Sequence, residues 1–395
     1  MMNGAIINRP KKLILSSIYI IFLLTIPCGA LVAGKLEDAR IPDEVLTELA
    51  YLLKFIGTEN EAPNFEPGRI ANLLGFVAKQ NTNSRLYHDG TSFGLPSAYY
   101  GLDINRSLED VLRYVYNPSI PYCSIAPSTV RICQLKETNK GQKSWPLLWK
   151  LLPDLDKPIV IRGVERVTNT PDLFSGAYYS YDQDRTLILF KYQDRKILAS
   201  ISKQKGKSDV GKKGLVLGTD DSWDYIYTGE EGLTKSGLNW VRSYMYDSFG
   251  IALYHEINPS KPLVRCGIFK WVRAGWAKMN VVRPEHIYNG MERFAKAFKQ
   301  ILEYPELPRD YELAKSFSKI ESMSFEELRT KIKDYLTTLE NRYRNEKKLS
   351  KKWRTYLFEN EKYINQLKRE EMQSILFVEH LKRLLGKNYP MDASQ

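Results

Sequence analysis

The chain has 395 residues, of which 43% are hydrophobic, 26% charged and 12% aromatic, a composition typical of a folded protein that excludes disorder as the dominant state. The length allows two or three domains that each bury a core. With 58 basic and 46 acidic residues the formal net charge is +12, which favours an anionic partner.

The N-terminus has the pattern of an export signal. Arg9, Lys11 and Lys12 form a positive n-region, and residues 13–26 are an unbroken apolar run of the length of a signal-peptide h-region. Small residues follow the run. The pattern therefore predicts cleavage of residues 1–34 as a signal peptide.

An uncleaved membrane anchor is the alternative. Residues 13–34 carry no charge, and as a helix they would be long enough to span a bilayer. Basic residues precede the run, so both interpretations predict that the rest of the chain is periplasmic, secreted or attached to the outside of the membrane. Loss of the segment would remove three basic residues and lower the net charge from +12 to +9.

Three cysteines follow the export segment. Cys123 and Cys133 lie ten positions apart across a loop with proline and serine, and an oxidising compartment permits disulfides. The sequence therefore predicts a disulfide between Cys123 and Cys133. The alternative is that both residues, like Cys266, are buried thiols without a bond.

Residues 35–150 have the pattern of short helices and loops. Pro42, followed by two acidic residues, begins one helix. A second helix is predicted at 69–79, and Ser107 opens a third with a capping box. The intervening segment 81–103 is rich in glycine, serine and tyrosine and is predicted to be a loop. This part of the chain is thus expected to be a helical N-terminal region.

Residues 151–304 are predicted to form an α+β domain. From about residue 157 the hydrophobic pattern has the period of two that is typical of strands, with turn-forming residues between them. Connections this short favour an antiparallel meander. The predicted strands lie at 158–162, 185–192, 196–203, 215–218, 224–228, 240–246, 251–256, 263–272 and 277–282.

A long amphipathic helix is predicted directly after these strands, at 284–303. Its apolar residues recur at steps of four and three, so they form one stripe that faces the sheet. The fold class is therefore α+β, with a central antiparallel sheet packed by this helix. The order of elements resembles the helix-grip arrangement of START-type lipid-binding domains, in which a curved sheet closes on a C-terminal helix. The stripe consists of Ile287, Met291, Phe294, Phe298 and Ile301.

Polar residues and two prolines predict a linker at 305–323. Beyond it, Ser324 and Glu327 form a capping box before apolar residues at helical spacing. Charged residues interrupt this apolar stripe near residue 346, and the stripe then resumes. This pattern predicts a C-terminal helical hairpin or bundle at 324–388. An extended coiled coil is the alternative.

Aromatic residues are concentrated in the sheet region. Tyr and Trp combine an apolar ring with a polar group, which suits them to pockets and to partly wet surfaces. Alternation along the strands would place half of them in the core and half on the surface. The alternative is that one face lines a cavity for an apolar or amphipathic ligand. The candidate ligand-binding residues are Tyr179, Tyr181, Trp223, Tyr225, Tyr227, Trp240, Tyr244, Trp271 and Trp276.

A basic stretch near the predicted helical turn is a second candidate binding surface. In a cytoplasmic protein it would indicate nucleic acid. Behind an export signal, nucleic acid is not expected, and anionic lipid head groups or an acidic protein surface are the expected partners. A solvated helix face is the simpler explanation. The stretch comprises Arg342, Arg344, Lys347, Lys348, Lys351, Lys352 and Arg354.

The catalytic motifs are incomplete. Ser92 lies in a G-x-S-x-G match, but no strand pattern precedes it and no helix pattern follows. His255 or His286 would have to act as its base. The four histidines are scattered, and the acidic residues at 220–224 lack the spacing of a calcium loop. No catalytic residue, metal or cofactor is therefore predicted.

The sequence favours an exported, non-enzymatic binding protein for an apolar or amphipathic small molecule or an envelope component. This hypothesis depends on aromatic clustering without a complete catalytic constellation. Two alternatives come from other classes of protein. One is an extracytoplasmic hydrolase acting through Ser92 or a carboxylate pair, and the other is an assembly protein acting through its C-terminal helices.

Overall fold

The structure, a computed structural model, has the α+β architecture that the sequence predicts. Export segment 1–34, Ser92, Lys347 and Lys348 lie outside the part of the chain that it describes. The described residues are 37–57, 64–79, 85–88, 93–235, 238–258, 260–345, 349–359 and 361–387.

Strands in the described part of the chain form one large sheet and two small ones. Most of the predicted strands are present, and several are longer than predicted. The strands are β1 (Glu37–Arg40), β2 (Arg85–His88), β3 (Ser97–Ile104), β4 (Val130–Thr138), β5 (Ile159–Asn169), β6 (Ala177–Tyr178), β7 (Ser180–Tyr192), β8 (Arg195–Gln204), β9 (Lys212–Val216), β10 (Tyr225–Glu231), β11 (Leu233–Lys235), β12 (Leu238–Val241), β13 (Ser243–Glu256) and β14 (Val264–Trp276).

The large sheet has nine strands in the order β1-β2-β3-β14-β13-β8-β7-β5-β4. β1 and β2 are parallel, and the other neighbours are antiparallel. The small sheets have the orders β10-β9-β6 and β11-β12. The predicted antiparallel sheet is therefore confirmed. It is more complex than a meander, because β3 pairs with a strand from the far end of the domain.

Four strands, β1 to β4, lie in the region that the sequence predicted to be helical. The segment 81–103, predicted as a loop, contains β2 and most of β3. Within β3, Gly101 pairs with Gly267 of β14. A methyl group at Gly267 would lie 2.6 Å from Val77 Cγ2, so the glycine lets a helix approach the sheet closely.

Three predicted strands differ from the structure. Segment 240–246 covers the end of β12 and the start of β13, and β13 continues through segment 251–256 with one bulge between Met245 and Asp247. Segment 277–282 is a turn rather than a strand, because Ala277 and Lys278 adopt positive φ angles that a strand does not allow.

The predicted N-terminal helices are present. Ser107 caps its helix as expected, since Asp110 N donates to Ser107 Oγ at 3.0 Å. The α-helices are α1 (Asp43–Leu53), α2 (Ala71–Lys79), α3 (Leu108–Val115), α4 (Tyr122–Ile125), α5 (Pro284–Leu302), α6 (Asp310–Glu321), α7 (Phe325–Arg342), α8 (Lys351–Arg354), α9 (Lys362–Gln366) and α10 (Arg369–Leu384).

The predicted linker at 305–323 contains α6. Acidic residues open this helix, and Leu313, Phe317 and Ile320 bury its apolar side. Further on, the hairpin region is a bundle of helices, including α7 and α10, which contact each other. Its first helix begins at the predicted capping box, in which Glu327 N donates to Ser324 Oγ.

The two faces of the large sheet differ in chemistry. On one face α1 and α2 cover an apolar core that includes Ile188, Leu253 and Phe269. On the other face α5 packs against β3 and β14, with the ring centroids of Tyr100 and Tyr288 5.2 Å apart. Hereafter this second face is called the inner polar face, because several of its central side chains are charged or hydroxylated.

Residues from Glu37 onward form one compact unit that includes the C-terminal helices. α10 contacts α4, α6, α7 and β4, so the C-terminal region is part of the folded body rather than a projecting arm. Among the described residues, no helix combines the length and the apolar composition needed to cross a membrane.

The predicted disulfide is wrong, because Cys123 and Cys133 are both free thiols. Cys123 lies in α4, where its thiol interacts with Ser374. Cys133 lies in β4, where its thiol is close to Glu165 and Arg185. Cys266 is also free and buried.

Candidate functional site

The nine aromatic candidates do not form one cluster. Trp271 belongs to the apolar core, stacked on Phe249 with ring centroids 4.6 Å apart. Trp223, Tyr225 and Tyr227 are buried on and beside β10. These four residues are therefore packed in two separate regions, the apolar core and the surroundings of β10.

The remaining candidates have separate surroundings. Tyr179 donates from its hydroxyl to Ser243 Oγ at 3.2 Å, and Tyr244 lies under the ammonium of Lys207. Trp276 is partly buried at the end of β14. The side chain of Trp240 lies outside the described part of the structure. Tyr181 lies on the inner polar face of the large sheet.

A cavity of about 20 Å³ lies beside the buried aromatic trio. Arg131, Tyr227 and Glu379 are among its lining residues. A space of this size holds about one water molecule, so it is too small for an apolar ligand. Arg131 fills much of the surrounding volume, with its guanidinium 3.8 Å above the ring of Tyr227 and 2.7 Å from the carboxylate of Glu371.

A second arrangement of polar and aromatic side chains lies around Arg185 on the inner polar face. Strand register places Arg185 beside Ser202, Ser202 beside Gly250, and Gly250 beside Lys270. These four residues thus form one row across β7, β8, β13 and β14. Because side chains in one row share a face of the sheet, the two cations lie at opposite ends of a row whose middle residues are a serine and a glycine.

Arg185 is held in a fixed orientation. Its Nε donates to Glu165 Oε2 at 2.7 Å, and its Nη1 donates to Ser200 Oγ at 2.8 Å. Gln183 Nε2 also donates to Glu165 at 2.7 Å. Burial, the largest single influence, would lower the pKa of Arg185, but the charge and hydrogen bond of Glu165 together with Tyr116 and Cys133 raise it overall. Arg185 therefore stays charged, with Nη2 unused by the described residues and the side chain 19% exposed.

Lys270 extends along the row. A methyl group at Gly250 would lie 3.1 Å from Lys270 Cδ and 3.6 Å from its Nζ, so the lysine side chain runs across the glycine. Burial lowers the pKa of Lys270 to about 8, the charge of Arg185 acts in the same direction, and Asp247 opposes them. Its ammonium makes no hydrogen bond or ion pair with the described residues. The Lys270 side chain is partly buried.

Four tyrosines surround Arg185. Its positive charge acts on the hydroxyls of Tyr116, Tyr122, Tyr181 and Tyr254. The Tyr116 hydroxyl interacts with Ser200, and the Tyr254 hydroxyl interacts with the Cys266 thiol. None of the four hydroxyls is among the buried polar atoms without a partner in the described part of the structure. Burial raises the pKa of Tyr116 and of Tyr181 to about 12, so all four remain protonated hydrogen-bond donors at neutral pH.

We call this arrangement the Arg185 site, defined by Glu165, Arg185, Lys270 and the four tyrosines. The site contains two cations and one carboxylate, that of Glu165, which is hydrogen-bonded to Arg185. The charge of Asp247 also acts on Lys270. Unused donors on Arg185 and Lys270, with the hydroxyls of Tyr122 and Tyr181, are of the kind that suits a carboxylate or phosphate. The tyrosine rings add apolar surface. The site thus combines hydrogen-bond donors for an anionic group with neighbouring apolar rings.

Sequence reasoning found Tyr181 but missed the other members of this site. A usable signal was present in β8, where Ser200 and Ser202 alternate with Ala199 and Ile201. Both sets are buried. Polar residues alternating within a strand buried on both faces indicate a polar interior surface, which the search for aromatic residues overlooked.

The predicted basic stretch is only partly a surface patch. Arg342 Nη1 donates to buried Asp224 at 2.8 Å, so this arginine has a structural partner. Arg354 donates to backbone carbonyls, while Arg344 and Lys351 are exposed. Two lysines of the stretch, and the side chain of Lys352, lie outside the described part of the structure.

The catalytic candidates are not brought together in the described residues. His255 is buried, and neither ring nitrogen has a hydrogen-bond partner. His286 is exposed and stacks on Phe174 with ring centroids 5.6 Å apart. Asp224 and Glu379 are buried carboxylates that share Lys382, an arrangement that leaves no open acid and base pair. Within the described ranges, no three histidine, cysteine, aspartate or glutamate side chains group as metal ligands would.

Comparison with known proteins gives no relative for this chain: no family model matches it, and no curated protein matches it in sequence. Function must therefore be argued from the geometry of the Arg185 site. The α+β fold by itself hosts many activities and assigns none.

Proposed function

We propose that the chain is an extracytoplasmic, non-enzymatic binding protein that takes an amphipathic ligand by its anionic group at the Arg185 site. The observation that carries the proposal is the pair of incompletely neutralised cations, Arg185 and Lys270, on a largely covered sheet face. Covered charge is costly unless it is paired, and a bound anion would supply the missing partner.

The residues of the site would have different tasks. Arg185 Nη2 and the ammonium of Lys270 would contact the anionic group, and the tyrosine hydroxyls would donate to its oxygens. The tyrosine rings would contact the apolar part of the ligand. Glu165 and Ser200 are positioning residues, because they hold Arg185 in the orientation that leaves Nη2 free.

The titration of Cys133 and Tyr181 favours hydrogen-bond donation over proton transfer by these two groups. A general base works best with a pKa near the operating pH. Burial raises the pKa of the Cys133 thiol well above its usual value and the pKa of Tyr181 to about 12. These groups keep their protons at neutral pH and so act as hydrogen-bond donors rather than as bases or nucleophiles.

Location and ligand source form part of the same proposal. Export through residues 1–34, with cleavage or with retention as an anchor, would place the Arg185 site outside the cytoplasm. Amphipathic anions are common components of a cell envelope. An envelope lipid and a free small molecule share the chemistry that the site recognises.

Two probes that differ only in the anionic group would test the proposal. The full-length protein is expected to bind oleate at least about tenfold more tightly than oleyl alcohol, since one charge-assisted contact contributes about 1.5–3 kcal/mol. Lys270→Met should remove most of this preference, and Lys191→Met, at an exposed lysine, should retain it. Mass spectrometry should recover oleate unchanged.

Three results would overturn the proposal. Equal affinity for oleate and oleyl alcohol would show that the anionic group is not recognised. An unchanged preference in Lys270→Met would remove this lysine from the site. Conversion of the probe would indicate an enzyme. Lysophosphatidic acid, tested beside oleate, distinguishes a phosphate from a carboxylate ligand.

A further inference from the structure

Two exposed loops place four large apolar side chains on the surface. Phe174 is 90% exposed and Leu173 60% exposed, in the loop between β5 and β6. Met279 is 52% and Val281 43% exposed, in the turn between β14 and α5. Single exposed apolar residues are common on proteins, but contiguous ones indicate a contact surface.

The two loops meet at the start of α5. The ring of Phe174 stacks on that of His286, with centroids 5.6 Å apart. His286 Nδ1 in turn accepts from Arg283 N at 3.3 Å, and Arg283 lies two residues after Val281. The four apolar side chains therefore belong to one surface, here called the loop patch and defined as Leu173, Phe174, Met279 and Val281.

The loop patch is held in shape by hydrogen bonds. Asp172 Oδ1 accepts from the backbone N–H groups of Phe174 at 2.9 Å and Ser175 at 2.6 Å. In the other loop, Asn280 Oδ1 accepts from Ala274 N at 3.2 Å. These bonds fix the loops without covering the apolar side chains, so insertion would require little further ordering.

Exposed cations flank the loop patch. Lys278 and Arg283 lie in the same turn as Met279 and Val281 and are exposed. The neighbouring acid in sequence is Glu285, and Asp172 is engaged in its own loop. Apolar tips bordered by cations match the interface of an anionic bilayer, where acyl chains take the tips and head groups take the cations.

We propose that the loop patch inserts into the surface of an anionic lipid bilayer, with Lys278 and Arg283 contacting the head groups. The apolar loop tips would enter the head-group and acyl boundary rather than cross the membrane. This contact is independent of the Arg185 site, since the two surfaces share no residue.

Vesicle binding of the full-length protein tests this proposal. Vesicles of phosphatidylcholine with phosphatidylglycerol should slow amide hydrogen exchange at residues 172–176 and 277–283. This readout is local, so it separates the loop patch from any membrane contact of residues 13–34. Pure phosphatidylcholine should protect the loops less, and added salt should weaken the difference.

Matched variants sharpen the test. Leu173→Ser combined with Phe174→Ser should abolish the exchange protection and weaken anionic vesicle binding by the loops at least about tenfold, since both apolar side chains that would be buried in the acyl boundary are lost. Tyr311→Ser, at another site 59% exposed, should behave like the wild type. Lys278→Gln with Arg283→Gln should reduce the preference for anionic vesicles.

Several outcomes would overturn the proposal. Loop exchange that is unchanged by vesicles, or equal in the wild type and the double serine variant, would contradict insertion. A wild-type dimer that becomes a monomer in the double serine variant would show that a second copy covers the loop patch. Oleate binding in the double serine variant should stay at the wild-type level, so failure here leaves the Arg185 site unaffected.

Discussion

Lys382 donates from its ammonium to the carboxylate of Asp224, and neither side chain is exposed to solvent. The two residues are 158 positions apart in the chain. The same carboxylate accepts from Arg342 Nη1 at 2.8 Å and from the Tyr343 hydroxyl at 2.7 Å. The ammonium also donates to Glu379. This network fastens α7 and α10 to the residue that precedes β10.

Replacing Lys382 should therefore destabilise the protein strongly. Lys382→Met leaves Asp224 and Glu379 as buried carboxylates without their shared cation, and breaking such a pair costs about 3–5 kcal/mol. Urea unfolding monitored by circular dichroism gives the free energy of unfolding. Lys319→Met, at an exposed lysine of α6, should change it by less than about 0.5 kcal/mol. Equal unfolding free energies in both variants would contradict the prediction.

Stability should fall in mildly acidic solution because of His255. Burial, together with the smaller effects of the charges on Arg195 and Arg265, lowers the pKa of His255 to about 4. Between the unfolded pKa of about 6.5 and the folded pKa of about 4, the unfolded chain binds more protons. The free energy of unfolding therefore decreases as the pH falls through this window, by at most about 3 kcal/mol.

A comparison of two histidine variants isolates this effect. His255→Leu should flatten the pH dependence of the unfolding free energy between about pH 4 and pH 6.5. His286→Leu, at an exposed histidine, should retain the wild-type slope. A wild-type slope in His255→Leu would assign the acid sensitivity to other groups.

Lys270→Met should raise stability while it weakens binding of the anionic probe. The pKa of Lys270 is lowered to about 8, so the folded state carries the charged amine at a cost below that pH. Removing the charge should stabilise the unliganded protein by about 1–2 kcal/mol at pH 7. Thermal unfolding without ligand measures this gain.

The pH dependence of Lys270→Met provides an independent check. In the wild type, the unfolded chain holds more protons between about pH 8 and 10.5, so this residue makes stability rise with pH in that range. The rise should be absent in Lys270→Met. Loss of stability at pH 7 instead would show that Lys270 has a partner that compensates its charge.

The thiols should react slowly in the native protein. Burial raises the pKa of Cys123 to about 11 and raises the pKa of Cys266 further, and only the thiolate is nucleophilic. A chromogenic disulfide reagent at pH 8 should label these cysteines slowly before unfolding and rapidly in denaturant. Intact mass after alkylation in denaturant, without reductant, should show Cys123 and Cys133 both modified. A mass lacking both modifications would show that Cys123 and Cys133 form a disulfide.

Local signals in the sequence located many elements well. The stripe of α5 is correct because Ile287, Phe298 and Ile301 are all buried and lie at helical spacing within one continuous segment. The caps at Ser107 and Ser324 are equally local, since each depends on residues three positions apart. Such features can be predicted because no distant part of the chain is needed to form them.

Non-local features were missed. β3 reads as a glycine-rich loop, and it becomes a strand because β14 lies beside it and α2 approaches at Gly267. Likewise, the row from Arg185 to Lys270 exists only through the register of four strands. Alternation assigns residues to two faces, but it does not say which face is apolar or which residues of different strands become neighbours.

Pairing between Lys382 and Asp224 has a consequence for synthesis of the protein. During translation, β10 leaves the ribosome long before α10, so Asp224 cannot pair with Lys382 until almost the whole chain has been made. A chain that ends before Lys382 would keep this carboxylate hydrated and the surface beneath α10 open. Premature termination near the end of the message is therefore expected to yield a target for quality-control proteases rather than a slightly shortened working protein.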